Sequence, residues 1–191
     1  MLVGAIIGVR TDTVQRSATS LLDHSNLITK TVFPSEIIPL TIFLSSLGSH
    51  IIAVLAAVAT VRYMNVQFSV LVLLLPIYTF LLGLFTVGMG WIFASLQVYL
   101  RDTAQMVVVA LTGWFWFTPI FIDETHFPAR VRFLVDWNPM AHVVKAYRQR
   151  LLTTELPSLH ELLVLAAISL TVFAAGGIFF RHLKRGFADV L

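Results

Sequence analysis

Four stretches of this chain run without a single Asp, Glu, Lys or Arg for as long as a helix needs to cross a bilayer. They lie at 37–61, within 68–100, at 103–122 and at 162–180. An α-helix rises 1.5 Å per residue, so about 20 apolar residues span a hydrocarbon core of roughly 30 Å. Membrane-spanning barrel strands alternate apolar and polar faces over about 10 residues. These runs are apolar throughout, which leaves helices. The predicted fold class is therefore an all-α membrane protein, a polytopic bundle with about four full transmembrane helices.

Composition agrees. Of 191 residues, 58% are hydrophobic and 12% charged, with a mean hydropathy of +0.86. Soluble domains carry about 25% charged residues. The net charge of +3 does not indicate nucleic-acid binding, because the basic residues flank the apolar runs, as membrane insertion selects, and form no patch. With no cysteine, disulfides and thiolate metal sites are excluded. The first nine residues are apolar, but they lack the basic flank and small-residue cleavage site of a signal peptide.

Between the runs the chain is mixed. Residues 10–36 hold Arg10, Asp12, Arg16, Asp23, Lys30 and Glu36, and 17–30 can form a short amphipathic helix that Pro34 ends. The second run is longer than one crossing needs, which predicts tilt, and Pro76 within it predicts a tolerated kink. Arg101 and Asp102 interrupt the apolar sequence. The third run ends in Trp114-Phe115-Trp116-Phe117-Thr118-Pro119. The segment 123–161 contains two amphipathic pieces, 130–135 and 140–152, too short to cross, and 181–191 is a basic tail.

Four crossings place both ends on one side. One side then holds Arg10, Arg16, Lys30, Arg101, Arg181, Lys184 and Arg185; the other holds Arg62, Arg130, Arg132, Lys145, Arg148 and Arg150. The count is nearly even. Arg101 and the tail cluster lie closest to span ends, so they assign the termini to the cytoplasm.

Catalytic chemistry is not indicated. The sequence has no HExxH, GxSxG or GxxxxGK[ST], so no phosphate loop and no metalloprotease or hydrolase signature. No two of the six histidines are four residues apart, and no metal site is expected. His50 alone falls mid-span. An intramembrane histidine is a functional candidate by default. With no acidic residue in any span, the plainer expectation is a neutral ring hydrogen-bonded inside the bundle. The aromatics Tyr78, Phe85, Trp91, Phe93, Tyr99, Trp114, Phe115, Trp116 and Phe117 either anchor at the interface or stack on sugar rings in a path. Gly83, Gly88, Gly90, Gly176 and Gly177 suit close helix packing.

Five features carry a family resemblance. They are the segment Asn26-Leu27-Ile28-Thr29-Lys30-Thr31-Val32-Phe33-Pro34-Ser35-Glu36-Ile37-Ile38-Pro39, Tyr99-Leu100-Arg101-Asp102 between spans, and the aromatic run into Thr118-Pro119-Ile120. Trp137-Asn138-Pro139 followed by Ala146-Tyr147-Arg148 is the fourth, and the tail Arg185-Gly186-Phe187-Ala188-Asp189-Val190-Leu191 the fifth. Together, in this order, they resemble the permease subunit of bacterial type-two ABC exporters for O-antigen, capsule or teichoic acid. The chain resembles an N-terminally shortened member, since about two spans precede the coupling segment in that family.

The resemblance implies a single permease domain over 1–191, in the bacterial inner membrane. It implies a homodimer above two separate nucleotide-binding ATPase subunits that use ATP and Mg, with no cofactor on this chain and a lipid-linked glycan as cargo. Leu21, Leu27, Ile28, Lys30, Val32 and Phe33 would dock the ATPase from an amphipathic cytoplasmic coupling helix. Arg101 and Asp102 would form a cytoplasmic turn. Tyr78, Trp91, Trp114, Phe115, Trp116 and Phe117 would line the glycan path. Pro119, Trp137, Asn138, Pro139, Tyr147 and Arg148 would belong to short re-entrant or gate helices at the outer face. A type-two permease for a drug or lipid, a membrane scaffold and a membrane enzyme are the alternatives.

Overall fold

The computed structural model describes residues 2–30, 34–63, 70–118, 137–152 and 158–190, all helix or short connection. In chain order these are α1 (Leu2–Asp23), α2 (Ser25–Lys30), α3 (Ile37–Tyr63), a 3₁₀ turn (Val70–Leu74), α4 (Leu75–Tyr99), α5 (Thr103–Phe117), α6 (Pro139–Leu152), α7 (Leu159–Leu183), a second 3₁₀ turn (Lys184–Gly186) and α8 (Phe187–Val190). Among the described residues three helices are long and apolar enough to cross a membrane, Ile37–Tyr63, Val72–Tyr99 and Leu159–Gly186. The protein is an all-α polytopic membrane protein.

The first helix departs from the sequence expectation. Instead of a polar segment ending in a short helix at 17–30, α1 runs unbroken for 22 residues and packs against α3, α4 and α5. Its charges do not interrupt it, because Asp12 and Arg16 are one turn apart on the outward face and pair at 2.9 Å. Its inward face is Thr13, Val14, Ser17, Ala18, Ser20 and Leu21, all buried. These side chains are small, and the hydroxyls bond the preceding turn: Ser17 Oγ donates to Thr13 O (2.8 Å) and Ser20 Oγ to Ser17 O (2.6 Å). Small, self-satisfied polar residues let backbones approach closely where lipid tails offer no hydrophobic drive. A Cβ on Gly90 of α4 would stand 3.1 Å from Ser17 Cβ, a measure of that approach.

α1 changes the topology. Thr11 lies beside Trp114, Thr118 and Met140, and Leu21 beside Val98, Phe180 and Phe187, so the helix runs from one end of the bundle to the other. Leu2–Asp23 therefore lies lengthwise along the bundle, between the end where α5 meets α6 and the end where α2 lies.

Two further boundaries differ. Pro76 kinks nothing: it sits in the first turn of α4, where its missing N–H has no intrahelical partner to lose. The third apolar run is helical only to Phe117; Thr118 is extended, with φ −90° and ψ 128°, as expected before proline. At 15 residues, α5 is shorter than a full crossing, and 119–122 lie outside the described residues. The predicted helix at 130–135 also lies outside them, whereas 140–152 is helical as α6.

α4 is the centre of the bundle. It meets α7 through glycine on both sides: a Cβ on Gly88 would fall 2.5 Å from Val172 O, and one on Gly176 would collide with Gly88 O. The core on the α6 side gathers Ala57, Leu75, Tyr78, Leu82, Phe85, Met140, Val143, Tyr147 and Leu165.

Candidate coupling and gate sites

The end of the bundle that holds Arg101, Arg181, Lys184 and Arg185 is built around one apolar cluster. Leu21 of α1, Ile38 of α3, Ala94 and Val98 of α4, Phe180 of α7 and Phe187 of α8 are its buried members, and Ile28 of α2 packs on its edge. The short helix α2 thus packs through Ile28 on the edge of a cluster to which four long helices contribute. Phe180 and Phe187 meet edge to face, with centroids 5.5 Å apart.

Polar contacts lock the same end. Lys184 Nζ donates to both oxygens of Glu36, at 2.8 and 2.7 Å. Trp91 Nε1 donates to Glu36 O (3.0 Å), and Tyr99 Oη to Leu183 O (2.8 Å). Burial pushes the Glu36 carboxyl up, but the hydrogen bond and charge of Lys184, its own backbone and the nearby Arg181 outweigh this and hold it below its ordinary value. Gly186 is needed where the tail turns past Tyr99, since a Cβ there would stand 2.5 Å from the Tyr99 hydroxyl. The turn at Arg101 and Asp102, both exposed, is clamped by Gln97: its Nε2 donates to Arg101 O (2.7 Å) and its Oε1 accepts from Ala104 N.

The opposite end is organised by Asn138. Its Oδ1 accepts from Met140 N (2.9 Å), capping α6 with Pro139 as the first helical residue. The same oxygen accepts from Trp114 Nε1 (2.9 Å), and Nδ2 donates to Thr118 Oγ1 (3.1 Å). One buried side chain thus ties the end of α5 to the start of α6. Lys145 of α6 and Glu161 of α7 pair at 2.7 Å.

Deeper in, three hydroxyl and ring groups meet. His50 Nε2 of α3 lies 3.0 Å from Tyr147 Oη of α6 and 3.2 Å from Thr79 Oγ1 of α4; the two hydroxyls are 2.6 Å apart. His50 and Tyr147 are fully buried. The expected hydrogen-bonded histidine is what the fold contains, with the Thr79 and Tyr147 hydroxyls at its Nε2.

The residues picked out by sequence are distributed as follows. Leu21 faces inward and is fully buried, in the cluster with Phe180 and Phe187. Leu27 and Lys30 lie on α2, beside the half-buried Ile28; Val32, Phe33 and Pro119 fall outside the described residues. The six aromatics do not share a face. Tyr78 is in the α6-side core, Trp91 is at the basic end against Phe173 (5.0 Å between centroids), and Trp114 is pinned by Asn138 and Phe85 (5.9 Å). Phe115 stands edge to face with the exposed Trp116, and Phe117 closes α5. Trp137 is exposed, and Arg148 is half-buried on α6. Sequence reasoning passed over Gln97, Thr79 and the Glu36–Lys184 pair. Asn138 was legible as a cap, because Asn before Pro at a helix start is a known signal.

Compared with known families, residues 3–152 match the ABC-2 type transporter family. The chain belongs to that family. Over 175 residues, 90% of the chain, this ABC-2 chain is 25% identical to the O-antigen export system permease protein RfbA of Myxococcus xanthus and 26% identical to the protein of the same name from Klebsiella pneumoniae. It covers 67% and 66% of those proteins, so it spans about two thirds of their length. No group of three or more metal-ligating side chains stands among the described residues.

Proposed function

We propose that this chain is the transmembrane permease subunit of an ATP-driven exporter that moves a lipid-linked polysaccharide of O-antigen or capsule type across the bacterial inner membrane. It works as a homodimer, and separate ATPase subunits supply the ATP and Mg chemistry at the basic end. The observation that carries this reading is the similarity along 90% of the chain to two O-antigen export permeases. The geometry supports it. A push on α2 reaches α1, α3, α4 and α7 together, because Ile28 rests on the cluster those helices share. Binding can shift such a bundle only by contacts that differ between its states, and α2 is the element placed to make them. At the far end, α6 answers through Tyr147 to α3 and α4, so motion of the spanning helices reaches the gate segment by direct hydrogen bonds.

The test is Leu27→Asp with Ile28→Asp in the intact transporter. Glycan export is expected to fall at least tenfold while ATP hydrolysis by the partner persists. Export at the unmodified rate refutes the coupling assignment, and co-purification of the chain without any ATPase refutes the exporter.

A further inference from the structure

On the outside of the bundle, at its basic end, α4 and α7 leave a groove of about 380 Å³. Trp91, Phe173, Ala174, Gly177, Ile178 and Phe180 line it, and Glu36 and Arg181 add its two charged groups. From Arg181 to Phe173 the helix rises about 12 Å, which carries the groove from the charged end into the apolar zone. The walls are held in place. The Trp91 ring is fixed by its bond to Glu36 O and by Phe173 and Phe180, and Gly177 keeps a side chain from filling the slot beneath it.

The charge at the mouth is uneven. Glu36 is neutralised by Lys184, which engages both its oxygens. Arg181 is exposed and forms no ion pair among the described residues. A guanidinium above an apolar slot, one turn from the membrane end of a spanning helix, matches an amphiphile with a phosphate headgroup and an alkyl tail. Basic pockets between spanning helices take anionic headgroups in this way. A zwitterionic lipid would bring its ammonium toward Arg181 and gain less.

We propose that this groove binds an anionic phospholipid, with Arg181 on the phosphate and the acyl chain along Trp91, Phe173 and Ile178. The inference rests on membrane insertion alone and stands apart from the export reading.

The test uses the full-length chain in nanodiscs of phosphatidylglycerol and phosphatidylcholine, with retained lipids counted by native mass spectrometry. The unmodified protein is expected to retain phosphatidylglycerol in preference, and Arg181→Gln to weaken that preference about tenfold, the worth of one charge-assisted contact. Gly177→Phe fills the slot and is expected to do the same with the cation still present. Arg101→Gln, a charge at the same end but off the groove, is expected to leave the preference intact. An equal loss in Arg101→Gln and Arg181→Gln overturns the site in favour of diffuse attraction. Displacement of phosphatidylglycerol by a polyisoprenyl diphosphate at equal concentration overturns the assigned occupant.

Discussion

Glu36 and Lys184, 148 residues apart in sequence, are joined through both carboxylate oxygens, and this pair closes the tail onto the start of α3. The contact places the residue just before α3 beside the basic tail. It also explains why Trp91, which bonds the Glu36 carbonyl, is held at the bundle surface.

The pair makes stability depend on acid. The folded Glu36 carboxyl titrates below its ordinary 4.5, so its contribution is complete at neutral pH and is lost as pH falls below that value. Both groups are about one-third exposed, which limits the effect to roughly 0.5–1 kcal/mol. Thermal unfolding in detergent between pH 3 and 7 is expected to show a shallower acid limb in Glu36→Gln than in the unmodified chain. Identical limbs would remove the pair from the account.

Tyr147→Phe keeps the ring and deletes the hydroxyl shared by His50 and Thr79. Leaving buried partners short of a hydrogen bond costs about 1–3 kcal/mol. His50→Ala is expected to cost at least as much, since it also leaves a void. Thermal unfolding midpoints check both. An unchanged midpoint in Tyr147→Phe would show that the trio does not hold α6.

The glycines divide sharply. Gly88→Ala and Gly176→Ala each drive a methyl group into the backbone of the neighbouring helix, which has no side chain to move aside. Each is expected to cost at least about 3 kcal/mol, or to abolish a monodisperse species on size exclusion. Gly48→Ala and Gly113→Ala meet open space and are expected to be neutral or stabilising by up to about 1 kcal/mol.

Asn138→Ala deletes the α6 cap and the bonds to Trp114 and Thr118 together, at an expected cost of about 2–4 kcal/mol. Asn138→Asp keeps the capping oxygen and loses only the donation to Thr118, so it should lie between. Limited proteolysis at the α5–α6 connection is the sensitive readout. Equal cleavage of all three proteins would refute the cap.

The amino-acid sequence determined the membrane class and the position of the long helices, because the cost of charge in hydrocarbon acts on each segment separately. It also held the family resemblance that the ABC-2 match bears out. It left α1 hidden. Its inward face is Thr, Ser and Ala, which no hydropathy pattern marks as buried, and only the nearby glycine of α4 makes that face fit. Leu21 is a second case: from sequence it is an apolar residue at the edge of a polar segment, and only the fold brings Phe180 and Phe187 over it. Tertiary structure alone decided which polar residues met. Glu36 with Lys184, and His50 with Thr79 and Tyr147, are pairings across distant segments, and helical periodicity places a side chain on a face without saying which helix that face will meet.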